Sequence, residues 1–343
     1  MNDSFSILLD NLENMAIKTE SFNVQSRGNI PELRPIDEYL KYGVITLDKP
    51  QNPSSHEVVS WIKNILDAEK TGHSGTLDPM VSGCLTICLN RATRLVKSQQ
   101  SAGKEYVCVI EFHGDTSENE FKKVLKKLTG VLIQRPPLMC AVKRNIRLRT
   151  IYNIDFLEFD AESKLGLFKV SCEAGTYIRT LCTHIGIFLG CGAHMKELRR
   201  TRSGISTEDT AVTLHDVLDA MHLYKTIKEE KYLRKVIKPL ESLLIAYPRI
   251  IVKDSSVEAI CHGARLTIPG VLRYDKNITL DKDILLITTK GEAIALAKPL
   301  MTSPEIKMAT HGMVAKPERL IMEKGVYEKA WSFKKEYDIE SDS

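Results

Sequence analysis

From residue 43 onward apolar positions recur with two periods, 2 and 3.6, and the switches between them divide the chain into elements. Gly43-Val44-Ile45-Thr46-Leu47 predicts a strand, and Asp48-Lys49-Pro50 and Asn52-Pro53 turn the chain after it. Ser54 and Glu57 have capping-box spacing. They open a helix with Val58, Trp61, Ile62, Ile65 and Leu66 on its inner stripe. Leu85-Thr86-Ile87-Cys88-Leu89 predicts a short buried strand. Residues 104–112 predict another, with Tyr106, Cys108, Ile110 and Phe112 on one face. Ser117 with Glu120 caps a helix that turns Phe121, Val124, Leu125 and Leu128 inward and leaves Lys122, Lys123, Lys126 and Lys127 in water. Residues 166–174 read as a strand. After Gly175-Thr176 a helix carries Ile178, Leu181, Cys182, Ile185 and Leu189 on one stripe and stops at Gly190. Thr213 with Asp216 starts a further helix.

Beyond Pro248 the pattern shortens. Ile250-Ile251-Val252, Leu266-Thr267-Ile268, Ile284-Leu285-Leu286-Ile287, residues 293–297 and Leu320-Ile321-Met322 are short strand candidates, punctuated by Gly263, Gly270, Gly291 and Gly312. Such spacing predicts a small β-barrel. Residues 1–40 lack periodicity and read as an extended leader. The expected division is 1–40 leader, 41–247 first folded domain, 248–332 second domain and 333–343 short polar tail.

Composition changes this picture little: of 343 residues, 43% are hydrophobic and 27% charged, as in ordinary globular chains. No apolar run approaches the ~20 residues of a membrane span, and the N-terminus has no basic-then-apolar signal pattern. A soluble intracellular protein with no membrane partner is expected. Eight scattered cysteines without Cys-x-x-Cys pairing read as reduced core thiols. Net charge is only +4, but it is unevenly spread. Residues 1–40 carry seven acids and three bases. Residues 134–153 carry Arg135, Lys143, Arg144, Arg147 and Arg149 with no acid, interleaved with Ile146, Leu148, Ile151 and Tyr152, which predicts a half-buried strand with a cationic outer face. Lys196, Arg199, Arg200 and Arg202 form a second cluster, with Glu197 among them. Two basic patches on a near-neutral chain suggest a polyanion partner.

Thr71-Gly72-His73-Ser74-Gly75-Thr76-Leu77-Asp78-Pro79 reads as a loop. Gly72 and Gly75 permit turns closed to other residues, and the loop presents one acid, Asp78, at the edge of a strand. On spacing alone Asp78-Pro79 is equally an ordinary turn. Phosphate-loop, dinucleotide and His-Glu-x-x-His signatures are absent, as is Gly-x-Ser-x-Gly. What remains is a carboxylate, a tyrosine on a strand and Arg179 in the first turn of a helix, where a cation is disfavoured by the helix dipole and invites an anion. A nucleophilic carboxylate must stay ionised, and an adjacent arginine favours that form and aligns it. A tyrosine offers a flat ring to a nucleobase swung out of its stack.

The Asp78 loop, residues 43–50 with 53–59, Gly103-Lys104-Glu105-Tyr106-Val107, and Gly175-Thr176-Tyr177-Ile178-Arg179-Thr180-Leu181 with Leu198-Arg199-Arg200 together resemble the TruB family of pseudouridine synthases. Residues 92–100, Val142-Lys143-Arg144 and residues 170–175 bring the likeness closer to its dyskerin branch, the catalytic subunits of H/ACA ribonucleoproteins. Residues 249–331, through 259–264, 287–294 and Trp331, resemble that branch's PUA domain. Met80 and Cys140 depart from the branch, which often has Lys and Ser there, and the segment after Gly114 is shorter.

The resemblance implies an α+β fold: a mixed, mainly antiparallel sheet core flanked by helices, plus a small C-terminal β-barrel (PUA). Asp78 falls on the family's catalytic aspartate, Tyr106 on the tyrosine that stacks on the target base and is a candidate for proton transfer, and Arg179 on the arginine paired with the aspartate. His73 falls near the flipped nucleotide, and Lys143, Ile178 and Leu198 on pocket positions. The family uses neither cofactor nor metal. Implied partners are an H/ACA guide RNA, substrate RNA and three small core proteins, in the nucleus and nucleolus. A stand-alone tRNA uridine isomerase and a non-catalytic small-RNA scaffold are the competing readings. Retention of Asp78, Tyr106 and Arg179 opposes the second, and activity on tRNA without a guide would favour the first.

Overall fold

The computed structural model describes residues 6–20, 24–137 and 144–329. They divide into one unit spanning Leu40–Lys238 and another joining Met1–Tyr39 to Pro239–Ser343.

The first unit is a twisted sheet with helices packed on it. Its strands are β1 (Gly43–Lys49), β2 (Thr71–His73), β3 (Ser82–Leu89), β4 (Lys104–Phe112), β5 (Gly130–Gln134), β6 (Arg147–Asp160), β7 (Leu165–Cys172) and β8 (Ala193–Ser203). The sheet runs β1-β3-β8-β4-β7-β6-β5, with β2 pairing β3 off that path. Every pair is antiparallel except the short β3–β8 ladder, so the sheet is mixed and mainly antiparallel. Helices α1 (Ser55–Ile65), α2 (Glu118–Lys127), α3 (Ile178–Leu189) and α4 (Leu214–Ile227) accompany it. Capping boxes open α1, α2 and α4 at Ser54, Ser117 and Thr213, each hydroxyl taking an N–H that the first turn leaves unpaired. Tyr106, Cys108, Ile110 and Phe112 are buried on one face of β4, and Phe121 of α2 lies edge-on to Phe112 at 5.1 Å.

Several expectations need correction. Thr71–His73 is not loop but a strand, because its backbone completes the free edge of β3. Gly72 therefore needs no left-handed angle, whereas Gly75 (φ +119°) does. Trp61 points to solvent and Val59 takes its place on the buried stripe of α1. On β6 the expected alternation fails: Ile146, Leu148 and Tyr152 are exposed, Arg149 is half-buried against Glu173, and Ile151 alone is buried. Cys84, Cys88, Cys108, Cys172, Cys182 and Cys261 are buried free thiols, and Cys191 is partly exposed. Cys140 and Trp331 lie outside the described residues.

The second unit is a curled seven-stranded sheet ordered Ala16–Ile17, Val271–Tyr274, Arg249–Val252, Ile284–Ile287, Ala293–Pro299, Met313–Leu320 and Leu266–Thr267. It wraps a core that includes Ile250, Val257, Leu286, Ile294 and Val314. The late strand lies at Met313–Leu320, earlier than the Leu320-Ile321-Met322 run suggested, since that run leaves the ladder at Leu320. Helix Asp254–Cys261 is absent from the expected elements, although Val257, Ile260 and Cys261 have helical spacing and form its buried face. Leader residues belong to this unit. Gln25 N–H donates to Asp254 (2.8 Å), Asn29 N–H donates to Glu292 (3.1 Å), and Arg34 makes a bidentate bond to Glu241.

Candidate active site

Asp78 stands in a tight turn closed by Val81 N–H donating to its carbonyl at 3.0 Å. Three buried side chains fix this turn. The Ser55 hydroxyl donates to Leu77 O and accepts from Leu77 N–H, both at 2.9 Å. Lys49, fully buried, donates to the carbonyls of Pro50, Pro53 and Pro79 at 2.7, 2.8 and 3.1 Å. Arg200 donates to Gly75 O at 3.2 Å and to Cys84 O at 2.7 Å, on either side of the turn. Burial, with Arg200's charge second, holds the Lys49 ammonium below its usual range.

The carboxylate meets Arg179 at 3.0 Å (Oδ2 to Nη2), and both side chains keep access to solvent. The cation that the helix dipole disfavours thus has its anion within the chain. The start of α3 is placed by a residue that sequence reasoning missed. Gln134, at the end of β5, accepts from Tyr177 N–H (2.9 Å) and donates to Tyr177 O (3.2 Å), so its amide clamps the backbone one residue before Ile178. Ile178 is buried.

Tyr106 lies on β4 directly opposite Arg200 of β8, and Cys108 lies opposite Leu198. Opposed residues share a face, so the tyrosine ring, the guanidinium and the buried Leu198 side chain are neighbours under the site. Burial pushes the Tyr106 phenol up, opposed by the charge of Arg200. Lys104, at the head of the same strand, donates to Gln99 O and Ala102 O. Burial, aided by Arg200, pushes it down to about 8. His73 ends β2 opposite Ile87, with its ring 5.3 Å from His56. Its Nδ1 is buried without a hydrogen-bond partner, and burial followed by His56 holds the imidazole below its usual range.

The structure thus joins Asp78 to Arg179 directly, sets Tyr106 beside Leu198, and places Ile178 next to Arg179 in α3. Lys143 lies outside the described residues. The second basic cluster is not an open cationic surface. Arg200 is 1% exposed, Arg199 binds Asp48 and Glu208, and Lys196 pairs with Glu111. By contrast Arg135, Arg144 and Arg147 are exposed. Strand parity could have found Arg200, since it shares a face with apolar Leu198. Nothing in the local pattern marks Ser55 or Gln134. Among the described residues no three His, Cys, Asp or Glu side chains converge as a metal site.

A carboxylate and a guanidinium at the solvent edge, with a buried aromatic ring and cations beneath, suit an anionic ligand whose flat part reaches the ring. Comparison with known proteins agrees. Residues 63–178 match the model of the TruB family pseudouridylate synthase N-terminal domain, and residues 179–245 that of the tRNA pseudouridylate synthase B C-terminal domain. Residues 2–59 match the DKCLD domain and residues 248–321 the PUA domain. The chain belongs to the TruB family of pseudouridylate synthases. Within it, the chain is 57% identical over 332 residues to the H/ACA ribonucleoprotein complex subunit CBF5 of Emericella nidulans, covering 96% of this chain and 69% of that protein. The structure of an H/ACA ribonucleoprotein bound to a substrate RNA containing 2'-deoxyuridine superposes with a TM-score of 0.84 at 44% identity, covering 92% of this chain and 97% of that one. A Cbf5-Nop10-Gar1 complex gives 0.82 at 46%, covering 90% and 94%.

Proposed function

We propose that the chain isomerises uridine to pseudouridine in RNA as the catalytic subunit of an H/ACA ribonucleoprotein, with an RNA guide choosing the uridine. The observation that carries this reading is the 3.0 Å Asp78–Arg179 pair at a solvent-accessible turn braced from below. In the reaction the bond from C1' to N1 breaks, a bond from C1' to C5 forms, a proton leaves C5, and N1 ends protonated. Asp78 is the nucleophile, at C1' of the ribose or at the uracil ring. Arg179 holds its oxygen in line. Tyr106 supports the displaced base and stands ready for the proton at C5. His73, Ile178 and Leu198 line the nucleotide pocket. Exposed Arg135, Arg144 and Arg147 meet phosphates. Small core proteins of the Nop10 and Gar1 kind complete the particle, which works in the nucleus and nucleolus.

The test assembles the chain with an H/ACA guide RNA and the small core proteins and follows tritium release from [5-³H]uridine in the substrate. Conversion only at the guide-specified uridine is expected. Equal conversion of tRNA by the chain without a guide would overturn the guided reading in favour of a stand-alone tRNA enzyme.

A further inference from the structure

Arg200 is the largest fully buried side chain among the described residues. No ion pair among the described residues involves it. Its donors go to neutral oxygens, Cys84 O at 2.7 Å and Gly75 O at 3.2 Å, and across the β4–β8 ladder it stands opposite Tyr106. Buried charge without a counter-charge is costly, and two further buried ammoniums, Lys49 and Lys104, lie within its field. Packing alone would favour an apolar side chain at such a position. The strand carrying it is packed tightly against the site: Gly83 (φ +102°) lies so close to the β8 backbone that a Cβ there would stand 2.2 Å from Arg200 O. Arg200 thereby touches three separate pieces of the site: the loop ahead of Asp78, the strand after it, and, as cross-strand neighbour, the tyrosine on β4. A guanidinium, with donors in a rigid planar fork, holds both carbonyls from separate nitrogens and in one fixed plane beside the tyrosine, a geometry that a lysine's single nitrogen does not impose.

We propose that Arg200 is a positioning residue for the isomerisation, acting through Tyr106: it sets the phenol of Tyr106 relative to the Asp78 turn. This rests on the isomerase reading above and adds to it a residue that touches no substrate. Displacing the phenol would spoil the alignment of the bound uridine more than its affinity, since the RNA is gripped elsewhere.

The test is a double-mutant cycle in the assembled particle, under single-turnover conditions: wild type, Arg200→Lys, Tyr106→Phe and the double variant. Arg200→Lys is expected to lower the maximal rate about tenfold or more and to leave half-saturating substrate RNA within about twofold. In the Tyr106→Phe background the same change should cost no more than about threefold. Equal fold-losses in both backgrounds, or a loss confined to half-saturation, would overturn the proposal. If Arg200→Lys fails to unfold cooperatively, Arg200→Gln replaces it in the cycle with the same two outcomes. Asp78→Asn run alongside separates the two failures: activity there refutes the isomerase reading itself, whereas an additive cycle with inactive Asp78→Asn refutes only the role of Arg200.

Discussion

The two units each contain a prominent arginine–carboxylate pair, and the two pairs are built oppositely. Asp78 and Arg179 retain 48% and 32% of their side-chain exposure and approach to 3.0 Å. Arg34 and Glu241 retain 2% and 1%, bond twice at 2.7 and 3.0 Å, and Glu241 also accepts from Ala293 N–H. Burial, the largest single effect, would lower the Arg34 pKa, but Glu241's charge and hydrogen bond, with the charges of Glu292 and Glu38, together outweigh it and hold it above its usual range. In the wet pair, water screens the charges, so its net worth to folding is about 0–1 kcal/mol and a substrate can enter beside it. In the dry pair each charge depends on the other, which makes it a fixed brace. The same pairing is left open to solvent in one unit and sealed from it in the other.

The largest expected effect breaks the dry pair. Glu241→Ala strands a buried guanidinium and should cost about 3–5 kcal/mol in denaturant unfolding of the full chain. Arg179→Gln should cost less than about 1 kcal/mol in that measurement, yet lower single-turnover isomerisation by about a hundredfold or more. Equal destabilisation by the two would erase the contrast. Next, Ser55→Ala leaves Leu77 N–H and C=O without their shared partner, at about 1–2 kcal/mol, and should slow turnover by loosening the Asp78 turn; an unchanged rate would show that the turn needs no such brace.

The smallest effects are pH slopes of opposite sign. Burial raises the Glu292 carboxyl, whose partners include Tyr327 at 2.7 Å. Its folded pKa exceeds the unfolded value, so stability is greatest below the ordinary 4.5 and declines as pH rises through the raised value. Glu292→Gln should flatten that decline in urea midpoints. Asp216 is held low by the Thr213 backbone N–H and hydroxyl, so its cap stabilises above the ordinary 3.8 and is lost as pH falls further. Asp216→Asn should remove the acid-side loss.

Local rules were legible where a single element decides the outcome. The Ser54, Ser117 and Thr213 caps, the β4 face and the α3 stripe all form as their spacing predicts. Tertiary context overrode the pattern elsewhere. At the start of β6 Leu148 and Tyr152 are exposed while Ile151 is buried, and farther along Phe156 packs on Phe121; the register shift between Ile151 and Asn153 breaks the simple alternation that sequence parity assumes. Trp61 was misplaced because a stripe's width cannot be read from one helix alone. The Asp78–Arg179 meeting spans a hundred residues of chain. The dipole misfit hinted at an anion, but only resemblance named it. Arg200 was read as surface because its neighbours are basic, and its burial depends on β3, β4 and the turn together.

The most direct test of the central claim is tritium release by the assembled particle carrying Asp78→Asn. The isostere keeps the shape of the turn and removes the negative charge. We expect no conversion of the target uridine, with substrate RNA affinity within about twofold of wild type. Turnover at the wild-type rate would contradict the claim that this one carboxylate carries the chemistry.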